Sequence, residues 1–122
     1  MVAVTTRSPT EQFFRALYDA FNARNIDTVI ASMHPDVDWP NMIEGGREHG
    51  HAAVREYWRK QFESTDPRVE PERVVSLGDD QVLVEVHQVV RDPAGKVLSD
   101  GKVEHVYVLR DGLIERMDVR GS

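Results

Sequence analysis

The hydrophobic and polar positions change their period near the middle of the chain. Up to about residue 64 the apolar residues recur every three or four positions, which is typical of amphipathic helices. From about residue 68 they alternate with polar residues, which is typical of strands. This order predicts helices first and then a meander of strands, in an α+β fold whose single domain spans residues 1–122.

The first helix has a clear start signal. Ser8 can cap it, Pro9 suits its first turn, and Glu11 stands three residues after Ser8 as in a capping box. The apolar stripe that follows is expected to face the core, and it consists of Phe14, Leu17, Tyr18 and Phe21.

A second, shorter helix is predicted over residues 26–33. Asn25 is a plausible cap for it, and Pro35 is expected to end it. Residues 36–41 then form a short extended segment, and Pro40 predicts that this segment lies at the edge of the sheet.

A glycine-rich loop over residues 42–50 leads to the third helix, which is predicted to begin at about His51. Its stripe consists of Val54, Tyr57, Trp58 and Phe62. Three N-terminal helices are thus expected to precede a sheet whose strands span about residues 68–77, 81–92, 98–110 and 113–120.

The register of the last hairpin follows from its turn. Asp111-Gly112 is a strong signal for a two-residue turn, and such a turn places Tyr107 opposite Arg116 and His105 opposite Asp118. In the preceding hairpin, pairing residue 92 with residue 97 places residue 84 opposite residue 105. A one-residue bulge in the last strand would instead move Asp118 to the opposite face.

One face of the predicted sheet is more apolar than the other and is expected to pack against the helices. Its apolar members are Val82, Val84, Val86, Val90, Val103, Leu109 and Ile114. Its polar members, which this placement would bury or direct into a pocket, are Gln88, His105, Tyr107, Arg116 and Asp118.

This face suggests acid–base chemistry. An imidazole beside a carboxylate, as predicted for His105 and Asp118, can move protons near neutral pH, while Arg116 and Tyr107 can donate hydrogen bonds to an oxyanion. The same pair can equally be structural, satisfying two polar groups on a partly buried sheet. The candidate ligand contacts are Trp39, Tyr57, Trp58, Gln88, Tyr107 and Arg116.

Composition narrows the range of partners. The net charge of −6 disfavours nucleic-acid binding, and no apolar run is long enough to predict a membrane span. The absence of cysteine is typical of a cytoplasmic protein. His49 and His51 lack a third ligand at convincing spacing, so we expect no metal site.

Four stretches resemble the NTF2-like superfamily, and in particular its SnoaL-like and ketosteroid-isomerase-like branches. They are Phe21–Asp27, His34–Trp39, Gly50–Tyr57 and Arg110–Ile114, in order along the chain. The resemblance implies a cone in which three N-terminal helices pack in the concave face of a curved, mostly antiparallel sheet. It also implies a homodimer.

The resemblance separates two activities. The tyrosine of ketosteroid isomerase falls on Leu17, its base near Asn41 and its acid near Glu104, so that reaction is not expected. That alignment also places the Glu104 face inside the cone, which conflicts with the apolar pattern. SnoaL-like cyclases use an aspartate near the end of the sheet with a histidine nearby, which Asp118 and His105 resemble.

The leading hypothesis is a pocket for a small apolar or polycyclic ligand, in an isomerase or cyclase that needs no cofactor and moves a proton next to a carbonyl. The alternative is a non-catalytic ligand-binding or dimerisation module of the same fold. Hydrolysis by a pocket-bound water, as in epoxide-hydrolase relatives, would require a second inward carboxylate that is not evident.

Overall fold

The computed structural model of the chain describes residues 8–121. Its helices are α1 (Pro9–Asn22), α2 (Ile26–Ala31) and α3 (Gly50–Ser64). Its strands are β1 (Met33–Pro40), β2 (Arg47–His49), β3 (Asp66–Gly78), β4 (Gln81–Arg91), β5 (Val97–Arg110) and β6 (Leu113–Arg120).

The described residues form a six-stranded, curved sheet in the order β2-β1-β6-β5-β4-β3. All neighbouring strands are antiparallel except β1 and β6, which are parallel. The prediction of an α+β fold with a mostly antiparallel sheet is therefore confirmed.

The prediction that all helices precede all strands is only partly right, because β1 and β2 come between α2 and α3. Helix α2 ends at Ala31, and Met33 and Pro35 belong to β1. Pro35 disfavours helical geometry at the residue before it, while Met33 is buried equally well from a strand. Pro40 ends β1 but does not lie on an edge strand, since β2 pairs with β1 there.

The local signals at the first helix and the last turn are confirmed. The Glu11 amide donates a 3.1 Å hydrogen bond to the Ser8 hydroxyl, which caps α1. Asp111 and Gly112 have φ angles of 54° and 77°, as a tight hairpin turn of this kind requires. These two positions favour residues that tolerate the left-handed region.

The pairing of β4 with β5 is as predicted from Gln81 to Val90, with Val84 opposite His105. Nearer the turn the register shifts by one residue, so that Arg91 rather than Asp92 lies opposite Val97. The predicted pairing of β5 with β6 is wrong beyond the first residues of β6. Leu109 pairs with Ile114, but Val108, the residue before it in β5, pairs with Arg116. Glu115 is therefore an extra residue in a β-bulge. The bulge places Asp118 opposite Val106 rather than His105.

The helices pack against one face of the sheet, which we term the inner face; the other is the outer face. The buried core lies between the helices and the inner face and includes Phe14, Leu17, Tyr18, Val29, Val54, Trp58, Val82, Val84, Val86, Tyr107, Ile114 and Met117. Among residues 8–121, no helix is long and apolar enough to cross a membrane.

Candidate functional site

A cavity of about 380 Å³ lies between the helices and the inner face. This volume falls in the range of small-molecule sites. All three helices and strands β1 and β3–β6 contribute to its wall. The side chains that border it include Leu17, Tyr18, Phe21, Trp39, Met42, Tyr57, Trp58, Val69, Gln88, His105, Tyr107, Met117 and Val119.

The structure brings together most of the residues that the sequence pattern singled out. Those that border the cavity are Trp39, Tyr57, Trp58, Gln88, His105 and Tyr107. Arg116 and Asp118 do not border it, because the bulge at Glu115 turns both of them to the outer face. The predicted juxtaposition of His105 with Asp118 is therefore wrong.

The partner of His105 is instead a tyrosine of α1. The Tyr18 hydroxyl lies 2.9 Å from Nδ1 of His105 and 2.8 Å from the hydroxyl of Tyr107. His105 and Tyr107 are two residues apart on β5, so both point to the inner face. Together the three residues form a hydrogen-bonded row, His105–Tyr18–Tyr107, in the cavity wall.

Burial keeps this row uncharged. It lowers the pKa of His105 to about 4, so the imidazole is neutral at pH 7. Burial also raises the pKa of Tyr18 and of Tyr107, so both hydroxyls keep their protons. The cavity wall thus carries neutral hydrogen-bonding groups at this point.

The second nitrogen of His105, Nε2, is the part of the row that a ligand can reach. In the described part of the chain Nε2 has no hydrogen-bond partner. Every fully buried side-chain nitrogen or oxygen there does have one, so Nε2 is not fully buried. Because His105 borders the cavity, this nitrogen is accessible from it. A ligand group within reach can bond to it.

Aromatic side chains form the apolar part of the wall. Trp39 and Trp58 meet edge to face, with ring centroids 5.3 Å apart, and Phe21 meets Trp58 at 5.5 Å. The Tyr57 hydroxyl accepts a 3.0 Å hydrogen bond from the Met42 amide, which holds the loop after β1 against α3. These rings favour a flat, largely apolar ligand.

On the outer face, Asp118 belongs to a network of charged side chains. Arg116 Nε donates to Asp118 at 2.8 Å, and Arg47 Nη1 donates to it at 3.0 Å. Both arginines also bond to Asp38. The hydrogen bond from Arg116 is the main reason that the pKa of Asp118 is lowered, so this carboxylate is a poor base.

One feature of the site was missed from the sequence, and a second, the bulge in β6, was left open there as an alternative. Tyr18 was placed in the core stripe of α1, and nothing local shows that its hydroxyl meets β5. The bulge did leave a signal, because Ile114 and Met117 are both apolar but three residues apart, which breaks the alternation of β6. Met117 is buried on the inner face as a result.

The expectation from ketosteroid isomerase that Glu104 faces the inside of the cone is wrong. Glu104 pairs with Glu85 and Arg120 on neighbouring strands, and its carboxylate lies 3.5 Å from the Arg120 guanidinium on the outer face. In the described residues, no three histidine, aspartate or glutamate side chains converge as metal ligands.

Known structures share this architecture. TerC, co-crystallised with polyporic acid, is 28% identical, with a TM-score of 0.81 over 94% of this chain and 92% of TerC. An NTF2-like protein of unknown function from Burkholderia pseudomallei is 24% identical, with a TM-score of 0.83 over 95% and 92% of the two chains. RV0760c from Mycobacterium tuberculosis, in complex with estradiol-17beta-hemisuccinate, is 18% identical, with a TM-score of 0.79 over 95% of each chain.

Among curated protein sequences, none matches the chain significantly. The SnoaL-like domain, in contrast, matches it as a family over residues 14–117. Because this match covers most of the chain and the fold agrees with NTF2-like structures, the protein belongs to the SnoaL-like domain family.

Proposed function

We propose that the protein binds a small, largely apolar ring compound in the cavity, with a polar group of the ligand against His105. The observation that carries this proposal is the cavity of about 380 Å³, whose apolar wall is interrupted by the row His105–Tyr18–Tyr107. Such a wall, with a few polar groups in an apolar surface, is typical of small-molecule sites.

The similar structures support this class of ligand. TerC was crystallised with polyporic acid, and RV0760c is in complex with estradiol-17beta-hemisuccinate. In this chain the edge-to-face pair of Trp39 and Trp58, with Phe21 beside it, provides the apolar ring contacts that a ligand of this kind needs.

For catalysis, we propose a cofactor-free isomerase or cyclase reaction next to a carbonyl. Nε2 of His105, on the ring that Tyr18 holds, would stabilise the negative charge that develops on the carbonyl oxygen as a proton passes from the neighbouring carbon to a water molecule in the cavity. Asp118 is not part of this proposal, because its carboxylate is held by two arginines on the outer face.

A second candidate is a binding protein without catalysis. Asp100 is the one carboxylate residue among the described residues that border the cavity, and its side chain is bonded to His87 rather than to His105 or Tyr18. A reaction that removes a proton from carbon needs a base, so a ligand-only role is consistent with this geometry.

A thermal-shift screen tests the binding proposal with two matched variants. Val119 borders the cavity, whereas the neighbouring Arg120 pairs with Glu104 on the outer face. Val119→Trp should fill the cavity, while Arg120→Trp adds the same ring outside it. The screen would contain polyketides, steroids, terpenoids and small aromatic ketones.

A ligand at a hundred times its dissociation constant should stabilise the wild type and Arg120→Trp by about 2.7 kcal/mol, but not Val119→Trp. The absence of any hit, or a hit that stabilises both variants equally, would contradict the proposal. Turnover of a hit would then distinguish an enzyme from a binding protein. It can be measured as a change in the carbonyl absorbance of the hit, or as exchange of the proton on the carbon next to its carbonyl.

A further inference from the structure

The row His105–Tyr18–Tyr107 can donate its hydrogen bonds in either of two directions. In the first, Tyr107 donates to Tyr18, Tyr18 donates to Nδ1 of His105, and the imidazole proton lies on Nε2. In the second, Nδ1–H donates to Tyr18, and Tyr18 donates to Tyr107. The distances of 2.9 and 2.8 Å fit both directions.

The hydroxyl of Tyr107 decides between them. Tyr107 is 0% exposed, and among residues 8–121 its hydroxyl has Tyr18 as its one hydrogen-bond partner. In the second direction the Tyr107 proton has no acceptor, and a buried donor without a partner is strongly unfavourable. In the first direction every hydroxyl proton of the row has an acceptor.

We propose that His105 presents Nε2–H to the cavity, so that the ligand must place a hydrogen-bond acceptor, such as a ketone or quinone oxygen, against it. Tyr18 is the positioning residue that fixes this tautomer. The inference rests on the proposed function for its ligand, but its statement about the tautomer holds for the free protein.

Ligand selection follows from this direction. A neutral Nε2–H donates a hydrogen bond to an acceptor on the ligand. It offers no lone pair, so it cannot accept a hydrogen bond from a ligand N–H or O–H that points at it. Because burial keeps the imidazole uncharged, the donor is a neutral one at pH 7. The same tautomer prevents Nε2 from acting as a general base, so the role of His105 is to polarise a carbonyl.

The tautomer can be read from long-range proton–nitrogen NMR spectra of the ligand-free protein at pH 7. The signals of His105 are assigned by their loss in His105→Gln. Wild type should show the Nε2–H tautomer in at least about tenfold excess. Tyr107→Phe should keep it, because Tyr18 then has Nδ1 as its remaining acceptor.

The double variant Tyr18→Phe/Tyr107→Phe removes the row without leaving a buried hydroxyl unpaired. Nothing then fixes the tautomer, and a resolvable fraction of Nδ1–H should appear. An Nδ1–H tautomer in wild type would overturn the inference. An unchanged tautomer in the double variant would overturn the role of Tyr18.

Three tricyclic probes of nearly equal shape test the ligand class by calorimetry. Fluorenone offers a carbonyl acceptor, carbazole offers an N–H donor, and fluorene offers neither. Fluorenone should bind to wild type about tenfold more tightly than carbazole does. In the double variant this preference should shrink, since the imidazole can change tautomer to accept from carbazole.

Equal binding of carbazole and fluorenone to wild type would overturn the inference about the ligand. If none of the three probes binds, the proposed function fails for such rings. In that case the NMR experiment still confirms or overturns the Nε2–H tautomer, so the two failures can be distinguished.

Discussion

The Tyr18 hydroxyl lies 2.9 Å from Nδ1 of His105, although 87 residues separate the two in the chain. This contact joins α1 to β5 across the core, beside the cavity. It makes a buried histidine part of a neutral hydrogen-bonded row rather than part of an ion pair. The stability and the ligand preference of the domain should therefore both respond to Tyr18.

Tyr18→Phe should destabilise the protein more than Tyr107→Phe. The first change removes the partner of both His105 and Tyr107, whereas the second leaves Tyr18 bonded to His105. We expect losses of about 3 and about 1 kcal/mol respectively in the free energy of unfolding, measured in urea. Equal losses would show that the hydroxyl of Tyr18 does not bridge the other two groups.

The stability of the protein should fall as the pH falls from about 6.5 to about 4. Burial lowers the pKa of His105 from 6.5 to about 4, so in this window the unfolded chain binds a proton that the folded protein excludes. The contribution of neutral His105 to the free energy of unfolding is fully present above pH 6.5. By pH 4 about 3 kcal/mol of it is lost.

His105→Gln should flatten the dependence of the unfolding free energy on pH in this window. His87→Gln is the matched control, because His87 is partly exposed and bonded to Asp100. It should leave the slope that is due to His105 in place. A slope that survives in His105→Gln would mean that another group takes up the proton.

Asp118→Asn should leave ligand binding unchanged within about twofold and lower stability by less than about 1 kcal/mol. The Asp118 side chain is 40% exposed on the outer face, where Arg47 and Arg116 are its partners. Calorimetric titration of a screening hit checks the binding. A folded Asp118→Asn protein that no longer binds the hit would place this carboxylate at the site after all.

Deleting Glu115 should leave cooperative folding in place. Without the extra residue, regular pairing of β5 and β6 keeps Val108 opposite Arg116 and Val106 opposite Asp118, so both charged side chains stay on the outer face. Glu115→Ala is the control, since it keeps the bulge and loses the same exposed ion pair with Arg110, at a cost of under about 1 kcal/mol. Thermal unfolding followed by circular dichroism compares the two variants, and loss of the cooperative transition in the deletion variant alone would contradict the account.

The elements that the sequence predicted well are those with local causes. Ser8 and Glu11 mark the start of α1, and Asp111-Gly112 fixes the turn between β5 and β6. Strand β2 was missed because its three residues carry no apolar alternation. Arg47 of β2 forms ion pairs with Asp38 on β1 and Asp118 on β6, and these contacts hold the strand in the sheet.

The candidate site was predicted only in part, because local patterns indicate which face of a strand a residue lies on but not which helix packs against it. Alternation along β4 and β5 placed Gln88, His105 and Tyr107 on the inner face, and the structure agrees. The contact between His105 and Tyr18 depends on how α1 packs across the sheet, which no local pattern encodes. One extra residue in β6 was enough to exchange the two faces for Asp118, because side chains alternate with a period of two.

The most direct test of the central claim is an NMR titration that follows the methionine methyl groups while a screening hit is added. Met42 and Met117 border the cavity, whereas Met33 is buried at 1% exposure but does not border it. Binding in the cavity predicts that the methyl signals of Met42 and Met117 shift in a saturable way while that of Met33 stays in place. A ligand that binds without shifting Met117, or that shifts Met33 as much, would contradict the account.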